Sequence, residues 1–153
     1  MKTLVIGSNG QLGQALVATA PAEFDLVAVD RAELDISDAD LVSKFSREVQ
    51  PAVIINAAAY TAVDEAESHE KLAHAVNAAG PRNVAGAAMD VGARLIHLST
   101  DFVFDGEAVE PYRPDSVPHP LGVYGRTKRV GGKALLQALP TTAAVIRTAW
   151  LYS

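Results

Sequence analysis

Three groups of residues in this chain have the types and spacing that chemistry uses. The first is Tyr124-Gly125-Arg126-Thr127-Lys128, a phenol and an ammonium four residues apart. On a helix, positions i and i+4 share a face. A phenol titrates near pH ~10, so it holds its proton well but works far from neutrality. A neighbouring ammonium favours the phenolate, so this spacing predicts a Tyr124 pKa lowered by Lys128 for proton transfer near neutral pH. The second group is Gly7-Ser8-Asn9-Gly10-Gln11-Leu12-Gly13. Glycines let a backbone turn tightly and come close to a pyrophosphate, and a following helix offers free N–H groups at the positive end of its dipole. The third is Ser99-Thr100, hydroxyls at the end of an apolar run where a ligand carbonyl could be met.

Each group has an ordinary explanation when taken alone. Tyr and Lys at this spacing are common by chance, and the spacing G-x-x-G-x-x-G departs from the usual G-x-G-x-x-G and fits any tight turn. Strand-end hydroxyls often satisfy the backbone. Context and order along the chain decide for function. The glycine turn sits between an apolar run and a helical pattern. Asp30 ends the second apolar run roughly 20 residues on, placed to accept hydrogen bonds from an adenosine ribose. Arg31 is either a solvated surface charge or a holder of a 2′-phosphate. Asp30 favours NAD and Arg31 could favour NADP, so these residues leave NADP or NAD open, with NADPH slightly favoured.

Elements that must position these groups are legible as periodicities. Thr3–Ile6, Leu26–Val29, Val53–Ile55, Leu95–Leu98 and Ala143–Ile146 are short apolar runs suited to strands buried on both faces. Helical spacing covers Gln11–Thr19, a segment N-capped by Ser37 and ending near Val49, and Val123–Ala138. An Ala-rich helical region runs from Asp64 to Val91, with a kink or break expected at Gly80-Pro81 and a C-cap at Gly92. Leu34–Ile36 reads as one more very short strand, and Phe104 to Val123 as an irregular loop. Strands alternating with helices predict an α/β fold, a doubly wound, mostly parallel sheet with helices on both faces, in a single domain over residues 1–153.

Composition narrows the function classes. The 153 residues are 49% hydrophobic and 20% charged, enough for a packed core. A net charge of −5 without a basic stripe argues against nucleic acid and anionic membrane surfaces. With 0 cysteines there are no disulfides or thiolate metal sites, which fits a reducing compartment, and a cytoplasmic location is expected. No secretory signal is expected, because Met1 leads straight into an apolar run.

Together the glycine turn, the strand-end Ser-Thr and Tyr-x-x-x-Lys resemble the extended short-chain dehydrogenase/reductase superfamily. The finer resemblance is to the dTDP-4-dehydrorhamnose reductases, across essentially the whole chain. It rests on GSNGQLG at 7–13, NAAAYTAVDEAE at 56–67, STDFVFDG at 99–106, PYRPDSVPHPLGVYGRTK at 111–128 and RTAWLYS at 147–153. The resemblance implies reduction of the 4-keto group of dTDP-4-dehydro-L-rhamnose by a nicotinamide cofactor. It implies that Gly10, Gln11 and Leu12 meet the pyrophosphate within the cofactor-binding turn that Gly7 and Gly13 bound, and that Asp30 meets the ribose. Asp35 and Ile36 would flank the adenine, and Ala58, Ala59 and Tyr60 would lie along the cofactor. Tyr124 would donate the proton, Lys128 would bind the nicotinamide ribose and tune Tyr124, and Thr100 would orient the carbonyl. Asp101 and Trp150 would contact the sugar.

The chain departs from the family at four points. Phe102 replaces a tyrosine, and Gly131-Gly132 replaces Gly-Glu, which predicts fraying of the helix beyond Lys128. Ala15 replaces a glutamate used by some members in a metal-linked dimer, so no metal is expected, and a homodimer is expected only of a full-length protein. The family's C-terminal lobe, which clamps the nucleotide sugar, does not follow Ser153. The chain alone is therefore expected to bind cofactor and to turn over the sugar nucleotide poorly or not at all. Two alternatives share parts of the pattern: a nucleotide-sugar epimerase or dehydratase of the same superfamily, and a non-catalytic cofactor-binding subunit, which would not need Thr100, Tyr124 and Lys128.

Other polar residues have plainer readings. His69 and His74 do not share a helix face, and His97 is expected as a satisfied residue of the core or near the site. Asp64, Glu65 and Glu67 read as a solvated helix start. Asn77 reads as a cap or a buried amide supporting the sheet.

Overall fold

The apolar runs of the sequence become five strands: β1 (Lys2–Ile6), β2 (Asp25–Val29), β3 (Val53–Asn56), β4 (Arg94–Thr100) and β5 (Ala143–Thr148). All neighbours pair in parallel, in the order β2-β1-β3-β4-β5. This computed structural model describes residues 1–151. Parallel pairing demands crossovers, and helices supply them. They are α1 (Gln11–Ala18), α2 (Ala39–Val49), α3 (Val63–Ala66), α4 (Glu70–His74), α5 (Gly80–Val91) and α6 (Val123–Ala138). The first crossover steps across the sheet in one direction and every later one steps in the other. Right-handed connections therefore put α1 on one face and α2, α5 and α6 on the opposite face. The expected α/β sheet with helices on both faces is what the chain forms.

The core fills the space between the sheet and the three-helix layer. Leu4, Ile6, Ile54 and Leu95 project from the strands against Val84, Ala88 and Leu135. On the other face, Leu26, Ile55 and Ile96 line an open apolar groove of about 570 Å³ beside α1.

Local chemistry explains where elements differ from the sequence expectation. Asp38, not Ser37, caps α2: its Oδ1 accepts from Leu41 N at 3.0 Å, while Ser37 Oγ donates to Asp35 Oδ1 at 2.7 Å. Leu34 and Ile36 are buried at 1% and 3% exposure, but they lie in a turn closed by Leu34 N on Asp30 O. Their apolar character anchors that turn to the core and makes no strand. The region from residue 64 to 91 holds three helices, the last two joined by a π-helical turn at Ala75–Ala79. Pro81 lacks the N–H that would close an α-helical bond onto the Asn77 carbonyl. The irregularity expected at Gly80-Pro81 is therefore taken up just upstream, and Pro81 sits in the first turn of α5. Gly92 ends α5 in the left-handed conformation with φ 69°, as predicted. α6 does not fray beyond Lys128 but runs through to Ala138. Gly131 is where α6 closes on the π turn: a Cβ there would lie 2.1 Å from the Asn77 carbonyl oxygen. Among the described residues, no helix is long and apolar enough to cross a membrane.

Candidate functional site

The carboxyl ends of β1, β3, β4 and β5 open into a groove with two connected parts. Gly10, Ala57 and Ala59 line both.

One part, of about 190 Å³, lies between the β1 turn and the end of β2. Gly7, Gly10, Asp30, Arg31, Asp35, Ile36, Ala58, Ala59 and Tyr60 all face it. The β1 turn brings Gly7 onto the chain after β3. Its φ is 87°, and a Cβ would lie 2.7 Å from Ala58 N, so no side chain fits there. α1 then starts at Gly10 with no side-chain cap and no acidic residue in its first turn. Its first intrahelical bond is Gln14 N to Gly10 O, which leaves the N–H groups of Gln11, Leu12 and Gly13 uncommitted within the helix. An uncapped N-terminus with free donors is a place for an anion. Asp30 stands at the rim. Its carboxylate accepts from Asn9 Nδ2 at 2.5 Å and from Ala32 N at 2.8 Å, which fixes its orientation. Arg31 is exposed and pairs with Asp35 at 3.3 Å. The Ser37 hydroxyl on Asp35 holds that carboxyl below its usual range.

The other part, of about 400 Å³, receives Gln11, Leu12, Gly13, Thr100, Asp101, Phe102, Tyr124, Lys128 and Trp150. α6 carries Tyr124 and Lys128 onto the end of β4. Lys128 is 2% exposed, and its Nζ donates to Leu98 O at 2.6 Å. Burial pushes its pKa down to about 8. Tyr124 is also buried, and this corrects the sequence expectation: desolvation pushes the phenol up, not down. The Thr100 hydroxyl beside it pulls the other way, and the Asp101 carboxylate adds to the rise. Thr100 Oγ donates to Asp101 Oδ1 at 3.0 Å and accepts from Phe102 N at 3.2 Å. The Phe102 ring meets Tyr124 edge-on, with centroids 5.6 Å apart. Trp150 is 87% exposed at the mouth of the groove.

Two supports of this arrangement have partners that the sequence does not reveal, though Asn77 is the buried amide expected of it. Glu67, read as solvated, reaches across to α6 and accepts from Val123 N at 2.6 Å, capping the helix that bears Tyr124. A carboxylate at a helix N-terminus is also favoured by the dipole. Asn77 grips the backbone of Tyr60 in both directions, Tyr60 N to Oδ1 and Nδ2 to Tyr60 O, each at 2.9 Å. Its Nδ2 also lies 3.3 Å from Thr127 Oγ1 on α6. No spacing rule links residue 67 to 123 or 77 to 60. A third residue, His97, is a correction: it is buried, but neither ring nitrogen has a protein partner. Among the described residues no cluster of three His, Asp or Glu side chains is placed to hold a metal.

A family model described as the RmlD substrate binding domain matches residues 1–153. The chain belongs to the RmlD substrate binding domain family. Within reach of this family, the dTDP-4-dehydrorhamnose reductase of Streptomyces griseus is 49% identical over 97% of this chain and 49% of its own length. The dTDP-4-keto-6-deoxy-D-glucose reductase of Streptomyces niveus is 43% identical over 97% of this chain and 52% of its own length. The structure of dTDP-4-dehydrorhamnose reductase from Bacillus anthracis in complex with NADP superposes with a TM-score of 0.96 at 39% identity. It covers 99% of this chain and 54% of that one. This RmlD-family chain thus spans about half the length of the relatives it matches.

Proposed function

We propose that this chain is the cofactor-binding part, with the proton-transfer groups, of an NAD(P)H-dependent ketosugar reductase. The reaction is reduction of the 4-keto group of dTDP-4-dehydro-L-rhamnose. The observation that carries the reading is the convergence of an uncapped α1 N-terminus and the Thr100–Tyr124–Lys128 set in one groove. The free N–H groups of Gln11, Leu12 and Gly13, and the close backbone approach at Gly7, suit a pyrophosphate. Asp30 suits the adenosine ribose, and Arg31 a 2′-phosphate if it leaves Asp35. Asp35 and Ile36 would flank the adenine, with Ala58, Ala59 and Tyr60 along the cofactor's length. The bound nicotinamide supplies hydride to the carbonyl carbon.

The chain's own residues would do the rest. Tyr124, kept protonated by burial, gives its proton to the carbonyl oxygen. Lys128 as an ammonium stabilises the phenolate that remains and bonds the nicotinamide ribose. Thr100 turns its hydroxyl from Asp101 to the carbonyl and orients it. Asp101 and Trp150 contact the sugar.

NADPH and NADH fluorescence titrations of this chain test the binding half, and a chain with no saturable binding refutes it. For the reaction, the protein carrying the sequence is assayed with dTDP-4-dehydro-L-rhamnose. Tyr124→Phe should lower turnover by about 10²–10⁴-fold and leave cofactor affinity nearly unchanged. Normal turnover in that variant refutes its role.

A further inference from the structure

Two side chains at the centre of the sheet carry polar atoms that no protein atom satisfies. His97 on β4 and Asn56 on β3 are both 0% exposed. Both ring nitrogens of His97 and Nδ2 of Asn56 lack a partner, while Asn56 Oδ1 accepts from Ala58 N. The two residues are direct neighbours in the β3–β4 register, so their side chains leave the sheet on the same face. That face also carries Ile54 and Leu95 and lies under α5 and α6. Lys128 reaches the same place from α6, and its Nζ spends a hydrogen on the carbonyl of Leu98, the residue after His97.

The donors and acceptors are complementary through one water. A neutral imidazole offers one acceptor, the Asn56 amide one free donor, and the Lys128 ammonium further donors beyond the one on Leu98. A water accepting from Asn56 and Lys128 and donating to His97 would make about three hydrogen bonds, as buried waters do. Left unmet, each buried polar group carries its full desolvation penalty. Burial and the Lys128 charge hold the His97 pKa down at about 3, so the ring is neutral and able to accept.

We propose that Asn56 and His97 form a buried water site beneath Lys128, and that His97 is a positioning residue that holds the Lys128 ammonium. The consequence for cofactor rests on the function proposed above, but the ammonium's own titration does not. The titratable groups around Lys128 are His97 on β4, Tyr124 on its own helix, Asp101 after β4, and Arg129, Lys133 and Arg147 around the adjoining groove.

The test is an NMR titration of the Lys128 side chain in this chain, in wild type, His97→Phe and His97→Gln. His97→Phe removes the acceptor and should lower the Lys128 midpoint by about one pH unit. His97→Gln keeps an acceptor oxygen and should restore it. At pH 8 that shift takes the ammonium from about half to about a tenth of the population, so NADPH affinity falls about fivefold there and is unchanged at pH 6. An unshifted midpoint in folded His97→Phe overturns the proposal. If that variant does not fold, water-to-ring magnetisation transfer at His97 in the wild type decides: transfer supports the site, and a dry ring overturns it. Failure of wild type to bind NADPH counts against the proposed function and leaves the Lys128 midpoint readable.

Discussion

At the Asp30 end of the groove, polar contacts stand in solvent and, apart from the Asn9–Asp30 bond, join near neighbours. Asp30 accepts from Ala32 and Arg31 pairs with Asp35, all within a few residues. At the Lys128 end the contacts join distant segments and are partly or fully buried: Glu67 to Val123, Asn77 to Tyr60 and Thr127, Lys128 to Leu98. The first end is made largely by local turns, and its exposed rim around Arg31 will tolerate substitution, whereas Gly7, packed on the Ala58 backbone, will not. The second exists only while α6, the π turn and β4 keep their spacing. Recognition of the adenosine half and placement of the proton-transfer groups should therefore fail separately.

The sharpest break is Gly131→Leu. Its Cβ would lie 2.1 Å from the Asn77 carbonyl oxygen, a backbone atom that cannot rotate away. Overpacking there should destabilise the fold by about 3 kcal/mol in urea unfolding. Glu67→Ala comes next. Losing the carboxylate from Val123 N should cost about 1–2 kcal/mol and weaken nicotinamide binding more than adenosine binding, read with NADPH against an adenine nucleotide alone. Arg31→Ala is the smallest in stability: its exposed pair is worth under about 1 kcal/mol. It should weaken NADPH several-fold and spare NADH, and equal loss of both would blur the two ends.

The pH response divides the two ends as well. Lys128 has a folded pKa of about 8, below the ordinary lysine value of 10.5. The unfolded chain then binds more protons between those values, so stability rises with pH across that window. Cofactor affinity should fall over the same window, because the ammonium is lost. His97 has a folded pKa of about 3 against the ordinary histidine value of 6.5. Stability should therefore fall as pH drops from 6.5 towards 3, by up to about 1.4 kcal/mol per unit. His97→Phe should remove that acid sensitivity in urea titrations.

Much of the Asp30 end was legible in the sequence, because a turn and a strand-end carboxylate are local patterns. The strands and helices were legible too, since period and apolar runs carry them. Ser37 was misread as a cap because Asp38 next to it has the same chemistry. Leu34–Ile36 was misread as a strand because burial, not pairing, explains its apolar residues. Glu67 was opaque, and of Asn77 only the burial was legible, for their partners lie far along the chain.

By itself the sequence determined a parallel α/β sheet, the glycine turn, and the spacing that puts Tyr124 and Lys128 on one helix face. Only the tertiary structure decided their electrostatics. The i, i+4 rule fixes which side chains are neighbours, but how far each is removed from water depends on every segment packed over it. Burial lifted the Tyr124 pKa where proximity alone predicted a fall, lowered that of Lys128, and left His97 neutral beside it.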